Sequence, residues 1–388
     1  MTHVRARIPT THCGSLPRPA ALFKLLEDRG FEREVEEVAF AAEVKAAVGE
    51  VVGRQVAAGI DIVSDGEMSK IGFFNYVKDR LTGFRGESGS FLPRDLVDFP
   101  EAAQRMFARG AGSGPSLAMV RPGNDGPIEY VGQGQLQADL ANLREAIVGK
   151  EVEPFLPAVS PGTVVQNMAT THFASRAEYL YALADALRTE YRAIAGAGFI
   201  LQVDCPDLAM DRHVEFADEP IEIFLRHVGE HVEVVNHALE GIDPARVRVH
   251  VCWGNYPGPH HRDVALAEIV NLVYRLDAAG LSVEAANPRH EHEWIVFREH
   301  PLPDGRYLVP GVIDTNSPYI EHPQVVSQRL QRFASVVGRE NLVAGTDCGF
   351  ATVATGTLTS DVVYAKLASL AEGARLASAE LWGAVSES

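Results

Sequence analysis

The sequence predicts an α/β fold, a single (β/α)8 barrel (TIM barrel) with an insertion after the second strand. Eight short apolar runs recur along the 388 residues, and amphipathic helical stretches separate them. Strands that alternate with helices form parallel sheets. Each run ends in polar residues, and barrel sites lie at the C-terminal ends of the strands. An open doubly wound sheet is the competing architecture, but Gly14-Ser15-Leu16-Pro17 is not the glycine-rich phosphate loop that such a sheet usually carries.

The predicted elements follow one another in a regular order until the second strand. Helical spacing of apolar residues predicts a long helix over 33–58, and later helices over 175–195 and 263–279. Between about 76 and 150, glycines, prolines and short alternating pieces such as 128–132 predict an insertion with a hairpin and small helices. Residues 1–388 are thus predicted to form one catalytic barrel domain. The predicted strands lie at 8–12, 61–64, 154–159, 199–203, 247–249, 281–283, 307–312 and 342–344.

The amino-acid composition limits which kinds of molecule the protein is expected to bind. The chain has 35 basic and 52 acidic residues, a net charge of −17, and no Lys/Arg-rich run, which argues against nucleic acid or an anionic membrane as partner. The N-terminus lacks an apolar signal region, and no uninterrupted apolar stretch reaches about 18 residues. We therefore expect a cytoplasmic protein with reduced thiols. A homo-oligomer is compatible with the sequence.

Four candidate metal ligands follow predicted strands. His250 and Cys252 are two residues apart, so they share one face of a strand. Glu284 and Cys348 follow two other predicted strands. One nitrogen, two sulfurs and one carboxylate suit Zn²⁺. The alternative is a core histidine with cysteines that serve as small buried apolar residues.

Other polar and aromatic residues lie near these ligands in the predicted fold. Glu67 and Asp204 are carboxylates at strand ends, where they would either contact an amine-bearing ligand or cap a helix. Trp253, with Tyr256 and Phe350, would either wall the pocket or belong to the core, since aromatic residues at such places do both equally often. The histidine-rich stretches 260–261 and 290–293 are expected to serve in solvated loops or at helix starts.

The ligand set indicates the chemistry. Two thiolates and a carboxylate make zinc a poor Lewis acid for water, but they leave it suited to hold an exogenous thiol as a thiolate. An open coordination position, or displacement of Glu284, would admit that thiol. Alkylation of sulfur is therefore favoured over hydrolysis.

The succession His-x-Cys, Glu and Asp-Cys-Gly resembles the catalytic barrel of cobalamin-independent methionine synthases. The segments 14–17, 65–67, 202–204 and 310–314 also match, in the family's order and over nearly the whole chain. The resemblance implies that Glu67 and Asp204 hold the amino group of homocysteine and that the Ser15 region takes its carboxylate. It also implies methyl transfer from a methyl-folate to a zinc-bound thiolate. The implied zinc ligands are His250, Cys252, Glu284 and Cys348.

Three departures from the family pattern leave the donor open. The synthases carry a second, N-terminal barrel for which 388 residues leave no room, so a one-barrel member is expected. Cys205-Pro206-Asp207 replaces the synthases' Glu-Pro-Ala after Asp204. Asn316 occupies the position of a histidine thought to protonate the leaving folate nitrogen, a role that a neutral amide cannot fill well. Methyl-folate, a methyl-corrinoid and other donors all remain open.

The segments 204–207 and 250–256 look more like epoxyalkane:coenzyme M transferase, where the same zinc-thiolate step opens an epoxide. Against that reading, Glu67 and Asp204 suit an amine better than a sulfonate, which favours Arg or Lys. The prediction is a zinc-dependent thiol S-alkyltransferase that acts on a small thiol, homocysteine first, and an alkyl donor. Epoxide opening with a coenzyme M-like thiol is one alternative, and a non-catalytic zinc or thiol binding barrel is another. The catalytic candidates are Glu67, Asp204 and Asn316, and the substrate-binding candidates are Ser15, Glu67, Asp204 and Trp253.

Overall fold

The computed structural model describes residues 6–89, 92–110, 120–352 and 358–383. Its main sheet contains six parallel strands in the order β1-β4-β5-β6-β7-β8. A separate antiparallel pair, β2 and β3, lies between β1 and β4 in sequence. The strands are β1 Ile62–Val63, β2 Gly86–Glu87, β3 Pro122–Gly123, β4 Glu153–Val159, β5 Ile200–Asp204, β6 Val247–Val251, β7 Gly280–Glu284 and β8 Tyr307–Gly311.

Two extended segments close the sheet into a ring. Parallel bridges join Leu308 to Leu342 and Gly311 to Gly345, on the outer edge of β8. The same segment bridges to Thr10 through Ala344, and the Thr10 carbonyl accepts a 3.0 Å hydrogen bond from the amide of Ile62 in β1. The predicted first and eighth strands therefore occupy their places as single bridges rather than long ladders. The α/β barrel prediction is confirmed.

The helices form an outer layer around this ring. Successive neighbours pack side by side, α2 on α5, α7 on α8, and α11 on α12, which also contacts α2. The helix predicted over 263–279 is shorter than expected, since it ends at Val273. The helices are α1 Ala20–Gly30, α2 Glu37–Ala57, α3 Arg94–Asp98, α4 Pro100–Gly110, α5 Gln133–Ala146, α6 Pro161–Asn167, α7 Arg176–Gly196, α8 Ile221–Leu239, α9 Leu266–Val273, α10 Val296–Glu299, α11 Pro323–Val337 and α12 Ser360–Trp382.

The region of the predicted insertion contains an antiparallel strand pair and short helices, but residues 128–132 do not form a hairpin. The paired strands are β2 and β3, whereas Tyr130 makes one antiparallel bridge, to Leu81. The alternation that suggested a strand reflects the inward direction of the buried Tyr130. Helices α3 and α4 lie between β2 and β3, while α5 packs on α2 and α7 as part of the outer layer. Residues 90–91 and 111–119 of this region lie outside the described residues.

A buried polar layer crosses the barrel just below the strand ends. Arg248 of β6 points inward, where its Nε donates to Gln202 Oε1 at 2.8 Å and its Nη1 to Thr11 Oγ1 at 3.0 Å. Its guanidinium also lies 3.9 Å from the centroid of the Phe155 ring. These contacts fix the strands that carry the candidate ligands. Among the described helices, none is both long enough and apolar enough to cross a membrane.

Candidate metal and thiol site

Three of the four predicted metal ligands meet at the C-terminal end of the barrel. His250, Cys252 and Cys348 each offer one ligand atom, and these atoms lie within 4.8 Å of one another. His250 is in β6, Cys252 directly follows that strand, and Cys348 comes from the segment after Gly345. All three side chains are buried. The parallel ring thus brings together residues that are far apart in sequence.

Glu284, the fourth predicted ligand, lies beside this group at the end of β7. Its Oε1 is 3.9 Å from Cys348 Sγ. The same oxygen accepts a 2.9 Å hydrogen bond from the amide of Trp253, and Oε2 accepts one of 3.0 Å from Asn287 Nδ2. Glu284 therefore has protein donors that could retain its carboxylate if it left a metal ion.

The orientation of His250 suits a metal ligand. Its Nδ1 lies 3.2 Å from Ser282 Oγ and 3.6 Å from Cys13 Sγ. With Nδ1 occupied in this way, Nε2 remains as the coordinating nitrogen. Cys13 itself donates to the Thr346 carbonyl at 3.1 Å, and burial raises the pKa of its thiol, so it remains a neutral neighbour.

The electrostatics of the group also favour a cation. Burial lowers the pKa of His250 to about 3, with a further contribution from Arg248, which keeps the imidazole in its neutral, ligating form. The hydrogen bond with Cys252, together with burial, raises the pKa of the Cys348 thiol. Burial likewise raises the pKa of Glu284. Anionic forms of these groups are therefore costly without a positive ion, and one nitrogen, two sulfurs and one oxygen fit zinc.

A cavity of about 340 Å³ opens directly over the donors. Its polar lining includes three metal-ligand candidates and four further residues, namely His250, Cys252, Cys348, Cys13, Ser15, Glu67 and Asp204. Much of the remaining lining is apolar, and Arg121 is a cationic member of it. The apolar lining comprises Phe73, Phe74, Leu92, Pro93, Leu96, Met106, Pro206 and Met210.

Glu67 and Asp204 face this cavity as buried carboxylates. Asp204 Oδ1 accepts a 2.7 Å hydrogen bond from Gln202 Nε2, and burial, with the nearby Glu67, raises the pKa of Asp204 to about 8. Burial also raises the pKa of Glu67, whose Oε2 has no hydrogen-bond partner within the described part of the chain. Arg18 Nη2 lies 3.8 Å from that oxygen. Neither side chain caps a helix, so both are available to a cationic ligand.

Ser15 and Asn316 also border open space near the ligands. Ser15 lines the large cavity, and its Oγ accepts a 3.3 Å hydrogen bond from the amide of Ala351. Asn316 lines a smaller cavity of about 130 Å³ that also touches Glu284 and Cys348. Its Nδ2 donates to Asn255 Oδ1 at 3.0 Å. Both residues lie at the site.

Trp253 does not line either cavity, contrary to the sequence prediction. Its side chain is fully buried, and its indole Nε1 donates to the Val264 carbonyl at 2.7 Å. The indole stacks on His290 with ring centroids 4.0 Å apart. Of the three predicted wall aromatics, Tyr256 lines both cavities, and Phe350 is buried outside them. The contribution of Trp253 to the site is its main-chain amide, which holds Glu284.

Two histidines expected in solvated positions belong instead to a buried cluster. Asp263 Oδ2 lies 2.9 Å from His260 Nδ1 and 3.0 Å from His290 Nε2. His290 does precede a short helical turn, as expected, but it is buried beneath Trp253. Spacing rules for a single helix could not find this cluster, because its members come from separate loops.

Asp95 of α3 is a site-supporting residue that the sequence analysis missed. Its Oδ2 accepts hydrogen bonds from the Tyr256 hydroxyl at 2.8 Å and from the His260 amide at 2.9 Å. The insertion is thereby joined to the loop that follows Cys252. No local sequence signal distinguishes Asp95 from an ordinary first-turn carboxylate.

Comparisons with known proteins agree with this architecture. The family model described as the catalytic domain of cobalamin-independent synthase matches residues 132–371. The chain is 25% identical over 406 aligned positions to the 2-hydroxypropyl-CoM lyase of Xanthobacter autotrophicus, covering 96% of each protein. It is 25% identical over 377 positions to the methionine synthase of Thermococcus kodakarensis, covering 96% of this chain and 94% of that protein.

A solved structure extends the likeness to three dimensions. The B12-independent methionine synthase from Shewanella sp. W3-18-1, in complex with selenomethionine, has a TM-score of 0.73 at 20% identity, covering 97% of this chain and 99% of that one. At this identity the likeness concerns the fold. Because the family model spans more than half of the chain, the protein belongs to the family of cobalamin-independent synthase catalytic domains.

Proposed function

We propose that this protein is a zinc-dependent thiol S-alkyltransferase that methylates homocysteine to methionine. The observation that carries the proposal is one cavity lined both by the His250, Cys252 and Cys348 donors and by the buried carboxylates Glu67 and Asp204. Membership of the synthase family supports the reaction class. The methyl donor is left open.

Zinc would be held by His250, Cys252 and Cys348, with Glu284 alongside, and would lower the pKa of an incoming thiol so that it reacts as a thiolate. The chain's own residues prepare this place. Arg248 and burial keep His250 neutral, and Trp253 and Asn287 hold the Glu284 carboxylate in position.

The two carboxylates would bind the amino group of the acceptor. A bound ammonium stabilises the ionised forms of Glu67 and Asp204, whose pKa values burial raises in its absence. Ser15 lines the same cavity and offers a hydroxyl to the substrate carboxylate. An amino thiol would thus be anchored at one end with its sulfur directed towards the zinc ligands.

Methyl transfer then forms a bond from sulfur to carbon while the bond from that carbon to the donor breaks, and the electron pair leaves with the donor. Asn316 borders the ligands from the second cavity, but its amide cannot supply a proton at neutral pH. The residue suits a hydrogen bond to the donor rather than acid catalysis. Donors whose leaving group needs no proton from this position are therefore favoured.

Epoxide opening is a second candidate function, and the apolar part of the cavity lining favours it. Phe73, Phe74 and Met210 would accommodate a small apolar epoxide, and Arg121 could accept a sulfonate. The name of the Xanthobacter relative, 2-hydroxypropyl-CoM lyase, is consistent with such substrates. In this reaction the sulfur–carbon bond forms as the carbon–oxygen bond breaks, and the alkoxide takes a proton. Asp204, whose pKa is raised to about 8, could supply it.

A substrate screen separates these functions. Homocysteine and coenzyme M are each incubated with methyl-folate, a methyl-corrinoid, S-methylmethionine and epoxypropane, and products are identified by mass spectrometry. The expected product is methionine from homocysteine, absent in a Cys348→Ala control. Product from epoxypropane alone would mean that the enzyme opens epoxides and does not transfer a methyl group. Binding of zinc and thiol with no product from any donor would indicate a non-catalytic binding protein.

A further inference from the structure

A second set of potential metal ligands comes from α8 and from the short turn that precedes it. Asp211, His227 and His231 each bring one ligand atom to within 4.8 Å of the others, and all three side chains are buried. Asp211 belongs to the short helical turn Met210–His213. The two histidines are in α8. None of the three lines the cavity over the thiol site.

The helix presents both imidazoles to the same side. Residues four apart lie on one face of a helix, so His227 and His231 point together towards the turn that holds Asp211. Their ring centroids are 3.9 Å apart. His227 Nε2 lies 2.8 Å from Asp211 Oδ2. Glu230, between the histidines in sequence, is exposed.

His231 has the hydrogen-bonding pattern of a ligand. Its Nδ1 is 2.6 Å from Asp207 Oδ2, and Asp207 is itself held by the hydroxyls of Ser160 and Thr163 at 2.6 and 2.7 Å. Its Nε2 is buried and has no hydrogen-bond partner among the described residues. Metal-binding histidines typically place one ring nitrogen on a carboxylate and the other on the ion. A ligand at this nitrogen would offset the cost of burying it without a partner.

The positive charge beside the cluster is shared with another carboxylate. Arg176 Nη2 lies 3.9 Å from Asp211 Oδ2, but the same guanidinium also contacts both carboxylate oxygens of Glu215 at 2.9 Å. The local positive charge is therefore largely compensated.

We propose that Asp211, His227 and His231 form a second zinc site, distinct from the thiolate site. Two imidazoles and one carboxylate are a common donor set for zinc, and a protein or solvent oxygen completes a tetrahedral arrangement. Gln166, whose amide donates to Asp211, is a neighbouring side chain that could offer such an oxygen. The ion joins α8 to the turn carrying Met210, a residue of the cavity wall.

The test is the zinc content of the full chain after saturation with zinc and removal of loosely bound metal. The wild type is expected to retain about two equivalents, and Cys252→Ser with Cys348→Ser about one. His231→Gln is also expected to retain about one, with His227→Gln as a second variant and circular dichroism as the check on folding. One equivalent in the wild type, unchanged in folded His231→Gln protein, would overturn the proposal.

Cobalt substitution gives a measurement that does not depend on a histidine variant. Cobalt in the thiolate site produces sulfur-to-metal charge-transfer absorption, whereas cobalt bound by nitrogen and oxygen produces only weaker ligand-field bands. The Cys252→Ser/Cys348→Ser protein is expected to keep the ligand-field bands and lose the charge-transfer absorption. Absence of both from that folded protein would contradict a second site.

Discussion

The two buried donor clusters of this barrel are built in opposite ways. The thiolate cluster, formed by His250, Cys252 and Cys348, comes from the end of β6 and from the segment after Gly345, and it borders a cavity of about 340 Å³. Asp211, His227 and His231 come from one helix and the turn before it, and none of them lines that cavity. Under the proposed function, the sulfur donors beside open space would serve the reaction. At the proposed second site, the nitrogen and oxygen donors between packed elements would serve the structure.

The largest difference should appear when the thiolate cluster is broken. Cys252→Ala and Cys348→Ala each remove one of the two sulfur donors, so thiol alkylation is expected to fall below detection and the site to lose its zinc. Activity and metal content are measured on the same preparations. Cys205→Ala, which removes a buried cysteine outside the ligand set, is the matched control. Full zinc occupancy in both ligand variants would refute the assignment.

The next effect should come from the carboxylates that face the same cavity. Asp204→Asn removes one partner of a buried ion pair with the substrate amine, a loss of about 2–5 kcal/mol, so the KM for homocysteine should rise roughly 100-fold. The KM for 4-mercaptobutanoate, which lacks the amino group, should hardly change. An equal rise for both thiols would mean that Asp204 does not recognise the amine.

A smaller effect, on stability, is expected when zinc binds only to the second cluster, formed by Asp211, His227 and His231. In Cys252→Ala/Cys348→Ala protein, zinc at 100 times its dissociation constant should add about 2.7 kcal/mol to the free energy of unfolding. The same addition should do nothing once His231→Gln is also present. Denaturant titrations with and without zinc measure this difference. Equal stabilisation of both proteins would assign the bound zinc to other residues.

The smallest effect concerns the contact between the insertion and the thiolate cluster. Tyr256→Phe removes one of the hydrogen bonds to Asp95. Because Asp95 keeps those from the amides of Leu96 and His260, the free energy of unfolding should fall by only about 1 kcal/mol. Zinc content should stay unchanged. Tyr319→Phe, at a tyrosine that is 81% exposed, should leave stability as it was. Zinc loss in Tyr256→Phe would give the tyrosine a direct role at the metal.

The sequence predicted most of the barrel and the meeting of three candidate donors, because both depend on strongly patterned features. Strand ends are marked by a change from apolar to polar residues, and with only four cysteines in the chain Cys252 and Cys348 stand out there. Trp253 was expected at the pocket wall, whereas its indole is buried against Val264 and His290, contacts that no spacing rule anticipates. His260 and His290 were expected near solvent because their shared partner, Asp263, is visible only in the fold.

The second donor cluster shows a further limit of sequence interpretation. His227 and His231 fit the apolar face of α8, so amphipathic spacing accounts for them without any ligand. Their relation to Asp211 depends on how the turn Met210–His213 packs against that helix. Asn316 and Glu284 are intermediate cases, because their positions were predicted but their hydrogen bonds to Asn255 and Trp253 were not.

The most direct test of the central claim is X-ray absorption at the zinc edge, recorded before and after homocysteine is added. To isolate the thiolate cluster, the experiment uses His231→Gln protein loaded with zinc. Two sulfur neighbours at about 2.3 Å are expected without substrate, from Cys252 and Cys348, and three with it. A sulfur count that stays at two in saturating homocysteine would contradict activation of the thiol by zinc.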